Sequence, residues 1–282
     1  MINIRQLSLD ALTQVFKEWG EPAFRAKQVY QWLWQKHAAS FDAMSNLSKD
    51  LRTKLAESYT IPKVKIHHSQ FSSDGTIKCR FQLHDGHFVE GVLIPTEKRL
   101  TACVSSQVGC SLSCKFCATG FMERKRNIEF DEIVDQVTLI NGLCEEHFNK
   151  KLTNIVFMGM GEPLLNVDPV MSSISIMQHQ NAYGLSKRRI TLSTSGIVPE
   201  IKKLAEKTDV SLAISLHAAN NELRDEIVPI NKKYPINELI DSCKDYLANQ
   251  SKRKTITIEY ILIDGVNDSV EHAAQLVKIL KD

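Results

Sequence analysis

Four of the seven cysteines in this 282-residue chain, Cys103, Cys110, Cys114 and Cys117, fall within fifteen residues, while Cys79, Cys144 and Cys243 lie scattered. An odd number of thiols at such spacing does not make a disulfide framework in a chain this long, and points instead to thiol or metal chemistry. Cys110-Ser111-Leu112-Ser113-Cys114-Lys115-Phe116-Cys117 spaces three thiols as C-x3-C-x2-C. Structural zinc normally takes four ligands, and so does a cubane iron-sulfur cluster devoted to electron transfer. A cluster held by only three thiolates leaves one iron open to a substrate or cosubstrate. The alternatives are a zinc site completed by Cys103 or a nearby histidine, and unliganded thiols that line a loop. Cys103 falls within a predicted strand, and no histidine occurs between His87 and His147, which favours the three-thiol cluster.

A loop of this kind has to be held by rigid elements, and the surrounding pattern supplies them. Beyond residue 99, short apolar runs (100–105, 152–158, 189–193, 210–216 and 255–263) alternate with helical periodicities (130–148, 167–178, 198–205, 236–247 and 270–280). Such alternation predicts parallel βα units, here five strand-helix pairs, with sites at the C-terminal ends of the strands. The thiol loop follows the first of them. Gly161-Glu162, Ser193 and Ser215 fall at the ends of the second, third and fourth. Ahead of this region, period-two runs at 64–71, 76–83 and 87–94, with Asp74-Gly75 and Asp85-Gly86 turns, predict three antiparallel strands. Residues 8–60 read as helices: Ser8 and Asp10 can cap the stripe Leu9, Leu12, Val15, Phe16, and Ala26, Val29, Tyr30, Leu33 make a second. Trp32 and Trp34 could stack on bases, but aromatic residues at helical spacing read first as core. The expected architecture is α/β: a helical accessory domain (1–62), an antiparallel extension (63–98) and a partial parallel (β/α) barrel (99–282).

Composition narrows the partners only a little. Lys and Arg total 35 against 33 Asp and Glu, too even a balance to argue for nucleic acid by itself. The excess is placed unevenly, with 14 basic and 10 acidic side chains in residues 1–99, which permits a basic accessory surface. No stretch approaches the ~20 apolar residues of a membrane helix, and the N-terminus has no apolar signal core, so no membrane partner and a cytoplasmic location are expected.

The thiol motif, with an aromatic residue before its last cysteine, resembles the radical S-adenosylmethionine (radical SAM) superfamily. More narrowly, Cys103-Val104-Ser105-Ser106-Gln107-Val108-Gly109-Cys110 resembles the RlmN-type ribosomal RNA adenine methyltransferases. Gly159-Met160-Gly161-Glu162-Pro163-Leu164, Leu192-Ser193-Thr194-Ser195-Gly196, Ser215-Leu216-His217 and Asp264-Gly265-Val266-Asn267-Asp268 follow in the family's order, along nearly the whole chain.

The resemblance implies that Cys110, Cys114 and Cys117 ligate three irons of a [4Fe-4S] cluster, with SAM chelating the fourth. It implies SAM contacts from Gly161, Glu162, Ser193, Ser215, Leu216 and His217. Taken without the resemblance, Gly-Glu-Pro is a turn with a solvated Glu, and the serines are strand-end hydroxyls satisfying loop backbone. Cys103 matches the family's second cysteine, which assists breakdown of a protein-RNA adduct, and Glu90 matches a proton acceptor. The implied reaction is methylation of adenine carbon 2 in 23S rRNA and certain tRNAs, with a flavodoxin-type electron donor and a monomeric enzyme. Carbon 2 bears a hydrogen of no useful acidity, so a radical route avoids an obstacle that ordinary nucleophilic methylation would meet. The family continues into a sixth strand and a C-terminal segment with a SAM-contacting asparagine and the methyl-carrying cysteine, which this chain is expected to lack; Cys243, in a predicted helix, is poorly placed to substitute. The competing readings are the related class that methylates carbon 8 of adenine, and a catalytically incompetent remnant.

Overall fold

The computed structural model describes residues 1–180, 182–250 and 255–281. Eight strands of three or more residues share one sheet: β1 Lys65–Phe71, β2 Ile77–Gln82, β3 Phe88–Pro95, β4 Leu100–Cys103, β5 Asn154–Phe157, β6 Ile190–Thr194, β7 Ser211–Ser215 and β8 Thr257–Glu259. They lie side by side in chain order, antiparallel from β1 to β4 and parallel from β4 to β8. The antiparallel extension is therefore not a separate sheet. It is continued into the barrel where β3 pairs with β4, Val92 opposite Cys103 and Leu93 opposite Ala102. Alternation fixes the two faces: Cys79, Phe81, Val89 and Leu93 are buried, while Lys78, Arg80, Phe88 and Glu90 are exposed.

The five parallel strands are followed by the predicted helices, α4 Phe130–Phe148, α5 Val167–Gln178, α6 Val198–Lys207, α8 Ile236–Ala248 and α9 Val270–Leu280. Three more, α1 Leu9–Glu18, α2 Ala23–Trp34 and α3 Lys49–Ser58, make up the accessory region, and a short α7 spans Asn221–Ile227. Ser8 caps α1 by accepting the Ala11 N–H at 3.1 Å, with Asp10 in the first turn. Trp34 is core at 1% exposure; half-buried Trp32 donates its indole N–H to Asn46 and carries the Lys36 ammonium on its face. No helix among the described residues is long and apolar enough to cross a membrane.

The accessory helices and the barrel share one continuous apolar core, and a buried ionic knot fastens them together. The Arg5 guanidinium, itself 0% exposed, donates to Asp131 at 2.9 Å and to Asp135 at 2.6 and 2.9 Å, both on α4. Asn3 and Gln6 add bonds to Asp131, while the Val64 N–H and the Lys63 ammonium reach Asp135. His37 sits beside this knot in a left-handed conformation (φ 53°), its ring against Tyr183. Burial, reinforced by Lys63 and Arg5 and opposed by Asp135 and Glu145, lowers its pKa to about 4.

An unfolded chain therefore takes up a proton at His37 that the folded chain refuses between about pH 4 and the ordinary value near 6.5, so folding stability drops as pH falls through that window. His37→Asn, which tolerates the same backbone, should flatten this part of the profile. Urea unfolding at pH 7 and pH 5 is expected to show a smaller loss for the variant than for the parent, and equal losses would exclude His37 as a source.

Candidate active site

The site is built from the strand ends upward. Past Cys103, the chain runs through a buried set of hydrogen bonds in which Ser105 is the junction. Its N–H donates to the Gln136 side chain of α4 at 2.9 Å, its hydroxyl donates to the Glu90 carbonyl at 2.5 Å, and the same oxygen accepts the Met160 N–H at 2.8 Å. Gln107 continues the linkage by accepting the Glu162 N–H at 2.9 Å. The loops after β4 and β5 thus meet with almost no room between them. A Cβ on Gly161 (φ +92°) would lie 2.4 Å from the Gln107 Cβ, which makes glycine the residue that fits both the conformation and the contact.

Residues 110–117 form a loop whose amide at Lys115 donates to the carbonyl of Ile227 at the end of α7. Cys114 is buried, 4.0 Å from the Ser195 hydroxyl, and Cys110 and Cys117 are half-buried beside it. Burial pushes the Cys110 thiol up, and Cys114 up to about 11, with the neighbouring thiols adding to both shifts. Such thiols become thiolates when a metal displaces the proton. Among the described residues no three His, Cys, Asp or Glu side chains converge to hold a single metal ion. Tetrahedral zinc at ~2.3 Å from sulfur would bring thiolates within about 3.8 Å of one another.

The strand ends surround a cavity of about 430 Å³, within the range of small-molecule sites. Its wall takes in Phe116 and Cys117 from the thiol loop, Gly161 and Glu162 after β5, Ser193 on β6, Ser215 and His217 at β7, and Glu259 on β8. A hollow of similar size, about 450 Å³, lies among α7, α8 and α9 and has none of the cysteines in its wall.

Within the cavity, the groups differ in what they have left to offer. Glu162 is 3% exposed, and its two oxygens accept the Leu164 and Ser195 N–H groups at 3.0 and 2.8 Å; burial raises its pKa. Ser193 and Ser215 donate to one oxygen of Glu259 at 2.8 and 3.1 Å. His217 adopts a left-handed backbone (φ 57°) and accepts the Ile261 N–H on Nδ1 at 3.1 Å. Burial and the Arg224 charge hold its pKa down to about 4, so the ring is neutral, with its proton on Nε2. Leu216 contributes backbone only, its side chain being fully buried.

The two proposed catalytic side chains stand apart from this wall. Cys103 is 8% exposed and bonded toward the Met158 backbone, its thiol pushed up to about 11 by burial. Glu90 lies two residues from Val92, the partner of Cys103, on the exposed sheet face, where its carboxylate pairs with Lys78 at 2.9 Å. Cys243 is buried in α8, in the core.

Two residues given no individual role by the sequence organise the site. Buried Arg224 donates to the carbonyls of Ser195, Ser215 and Leu216 at 2.7, 3.1 and 3.0 Å and so pins the ends of β6 and β7. Asn267 donates to the carbonyls of His217 and Ile261 and accepts the Ile263 N–H, clasping the turns after β7 and β8. Two basic runs, 124–126 and 187–189, are partly engaged within the fold. Arg126 bonds Asp85 and Glu132, Lys187 pairs with Asp209, and Arg189 donates to the Thr153 carbonyl.

Both the sequence and the fold have known relatives. The domain family "Ribosomal RNA large subunit methyltransferase N-terminal domain" matches residues 2–61, and the "Radical SAM superfamily" matches residues 104–277. The chain is 51% identical to the "Probable dual-specificity RNA methyltransferase RlmN" of Cytophaga hutchinsonii, covering 99% of this chain and 76% of that one. It is 49% identical to the "Dual-specificity RNA methyltransferase RlmN" of Marinomonas sp., covering 99% and 77%. The crystal structure of a radical SAM methyltransferase from Sphaerobacter thermophilus superposes with a TM-score of 0.92 at 41% identity, covering all of this chain and 82% of the other.

Proposed function

We propose, since this chain belongs to the RlmN family of radical SAM RNA methyltransferases, that it methylates carbon 2 of a specific adenine in 23S rRNA and in certain tRNAs, in the cytoplasm. The observation that carries this reading is the convergence of the thiol loop with the ends of four parallel strands around one cavity. Cys110, Cys114 and Cys117 would hold three irons of a [4Fe-4S] cluster. When bound and reduced by a flavodoxin-type donor, the cluster supplies the electron that cleaves SAM and so makes an unactivated C–H bond reactive.

The chain's own residues supply placement and protection. Gly161 lets the loop after β5 approach Gln107 closely enough to keep the cavity floor shut. Glu162 is the buried carboxylate at the thiol-loop end, where a SAM ammonium is best accommodated, while its oxygens hold the two flanking turns. His217, neutral, presents a proton on Nε2 to an acceptor in the cavity. Cys103, one strand behind the cavity, is the second cysteine that assists product release, and Glu90, on the same sheet face, is the proton acceptor.

The test is product analysis. The chain extended through the family's C-terminal segment, which the resemblance implies carries the methyl on a cysteine, is reconstituted beside the Cytophaga hutchinsonii relative as a positive control and given reductant, methyl-labelled SAM and unmodified 23S rRNA, and the digested RNA is examined for labelled nucleosides. Label in 2-methyladenosine is the expected result. Label in 8-methyladenosine would assign the chain to the carbon-8 class, and neither product, with an active control, would sink the proposal.

A further inference from the structure

The cavity wall holds two carboxylates, and they are not equivalent. Glu162 stands at the thiol-loop end: its charge bears on Cys110 and Cys114, and both its oxygens are taken by backbone amides. Glu259 stands toward Cys103, on which its charge bears. Ser193 and Ser215, from the two neighbouring strands, both donate to Oε2 of Glu259, while Oε1 receives no bond from the chain among the described residues. Two hydroxyls on one oxygen fix the plane of the carboxylate and leave its other oxygen for a ligand.

The backbone under Glu259 is equally fixed. Its carbonyl accepts the Leu216 and His217 N–H groups at 3.0 and 3.3 Å, and Asn267 ties His217 to Ile261 immediately beyond. An immobile carboxylate with an available oxygen calls for a donor, or a pair of donors, at a set position. If the amino-acid half of SAM lies at the thiol loop, as the proposed function requires, its nucleoside half extends toward the Glu259 end. The donors there are the vicinal hydroxyls of a ribose. Fixed acidic side chains take ribose hydroxyls in this way in dinucleotide sites, and bonds to an ionised acceptor are the strong ones.

We infer that Glu259 binds the ribose diol of SAM, and that Ser193 and Ser215 act as positioning residues that orient its carboxylate. This inference rests on the SAM-site reading above and adds to it a residue from β8. It also changes the part assigned to the two serines, whose hydroxyl protons are directed at Glu259.

Anaerobic equilibrium dialysis of the cluster-loaded chain with SAM, 2′-deoxy-SAM and 3′-deoxy-SAM tests it. The wild type should bind at least one deoxy analogue roughly tenfold or more weakly than SAM. Glu259→Ala should weaken SAM binding by roughly 10- to 100-fold and bind the analogues about as well as SAM. Glu259→Gln, whose carbonyl oxygen can still accept both serine hydroxyls, should retain the parent's thermal midpoint while losing most of the discrimination. The Ser193→Ala/Ser215→Ala pair should reduce the discrimination with Glu259 intact.

Variants of Glu259 that keep the wild-type ratio between SAM and its deoxy analogues would overturn the assignment. So would a wild type that binds all three ligands equally, with the SAM site itself left standing. Absence of saturable SAM binding by the loaded wild type would instead overturn the site reading, and this inference with it.

Discussion

Anaerobically reconstituted protein is expected to carry about four irons per chain, and Cys110→Ala, Cys114→Ala and Cys117→Ala each to carry almost none, with SAM cleavage falling to background. The loop that presents these thiols is anchored at Ile227 and packed against Ser195, and its Cys117 lies in the cavity wall. Each thiol is one of only three, and removing any leaves two, too few to retain the cluster against solvent and chelator. Because burial raises the Cys110 and Cys114 thiols, proton release opposes loading, and reconstitution should proceed further at pH 8.5 than at pH 6.5. Iron and sulfide analysis with the cluster's visible absorption checks both points. Zinc in the site after anaerobic handling, or cluster retained by all three variants, would remove the basis of the radical reading.

Arg5→Ala is the substitution with the largest expected effect on folding. It would strand Asp131 and Asp135, whose side chains are 0% and 4% exposed, without their buried cation. Removing one partner of a buried ionic pair costs about 3–5 kcal/mol; Asp131 would keep only the neutral donors Asn3 and Gln6, and Asp135 only Lys63 at 3.3 Å as a cation. The urea midpoint should fall with little change in slope, and proteases should gain access around residues 59–64, where Arg5 also donates to the Pro62 carbonyl. Adding Asp131→Asn and Asp135→Asn to Arg5→Met should recover much of the loss, since no fully buried carboxylate is then left without its cation; Lys63, one-fifth exposed, can turn toward solvent. A midpoint unmoved by Arg5→Ala would mean that the shared apolar core alone joins the accessory helices to α4.

The barrel was largely legible because its signals are local. Apolar runs bounded by turn residues located β4 to β8, and α4, α5 and α9 end where their periodicities end. α7 was missed because seven residues are under two turns, too short for a stripe to repeat; the Asn220 cap, which accepts the Leu223 N–H, was its only local sign. Union of the antiparallel strands with the barrel was also not readable, since nothing in 87–105 says that β3 and β4 pair with each other.

The strand-end rule found Ser193 and Ser215 but was not carried to the last strand, where Glu259 completes the set. Arg126 shows what local sequence leaves out. It is one of three consecutive basic residues, and in the fold it is held by Asp85 and by Glu132, which also accepts the Glu129 N–H that opens α4.

The Ser105 junction has a mechanical consequence. One hydroxyl group joins the Glu90 carbonyl to the Met160 amide, so the antiparallel apron and the barrel loops share a stiff seam rather than a hinge. Where apron and loops are tied in this way, shape adaptation to an RNA target falls more to the nucleic acid than to this seam. Extracting a stacked base costs a few kcal/mol, least where the base is already unpaired. On the function proposed above, target choice would become a matter of RNA compliance, an adenine in a loop or bulge being swung out at less cost than the same adenine inside a regular duplex.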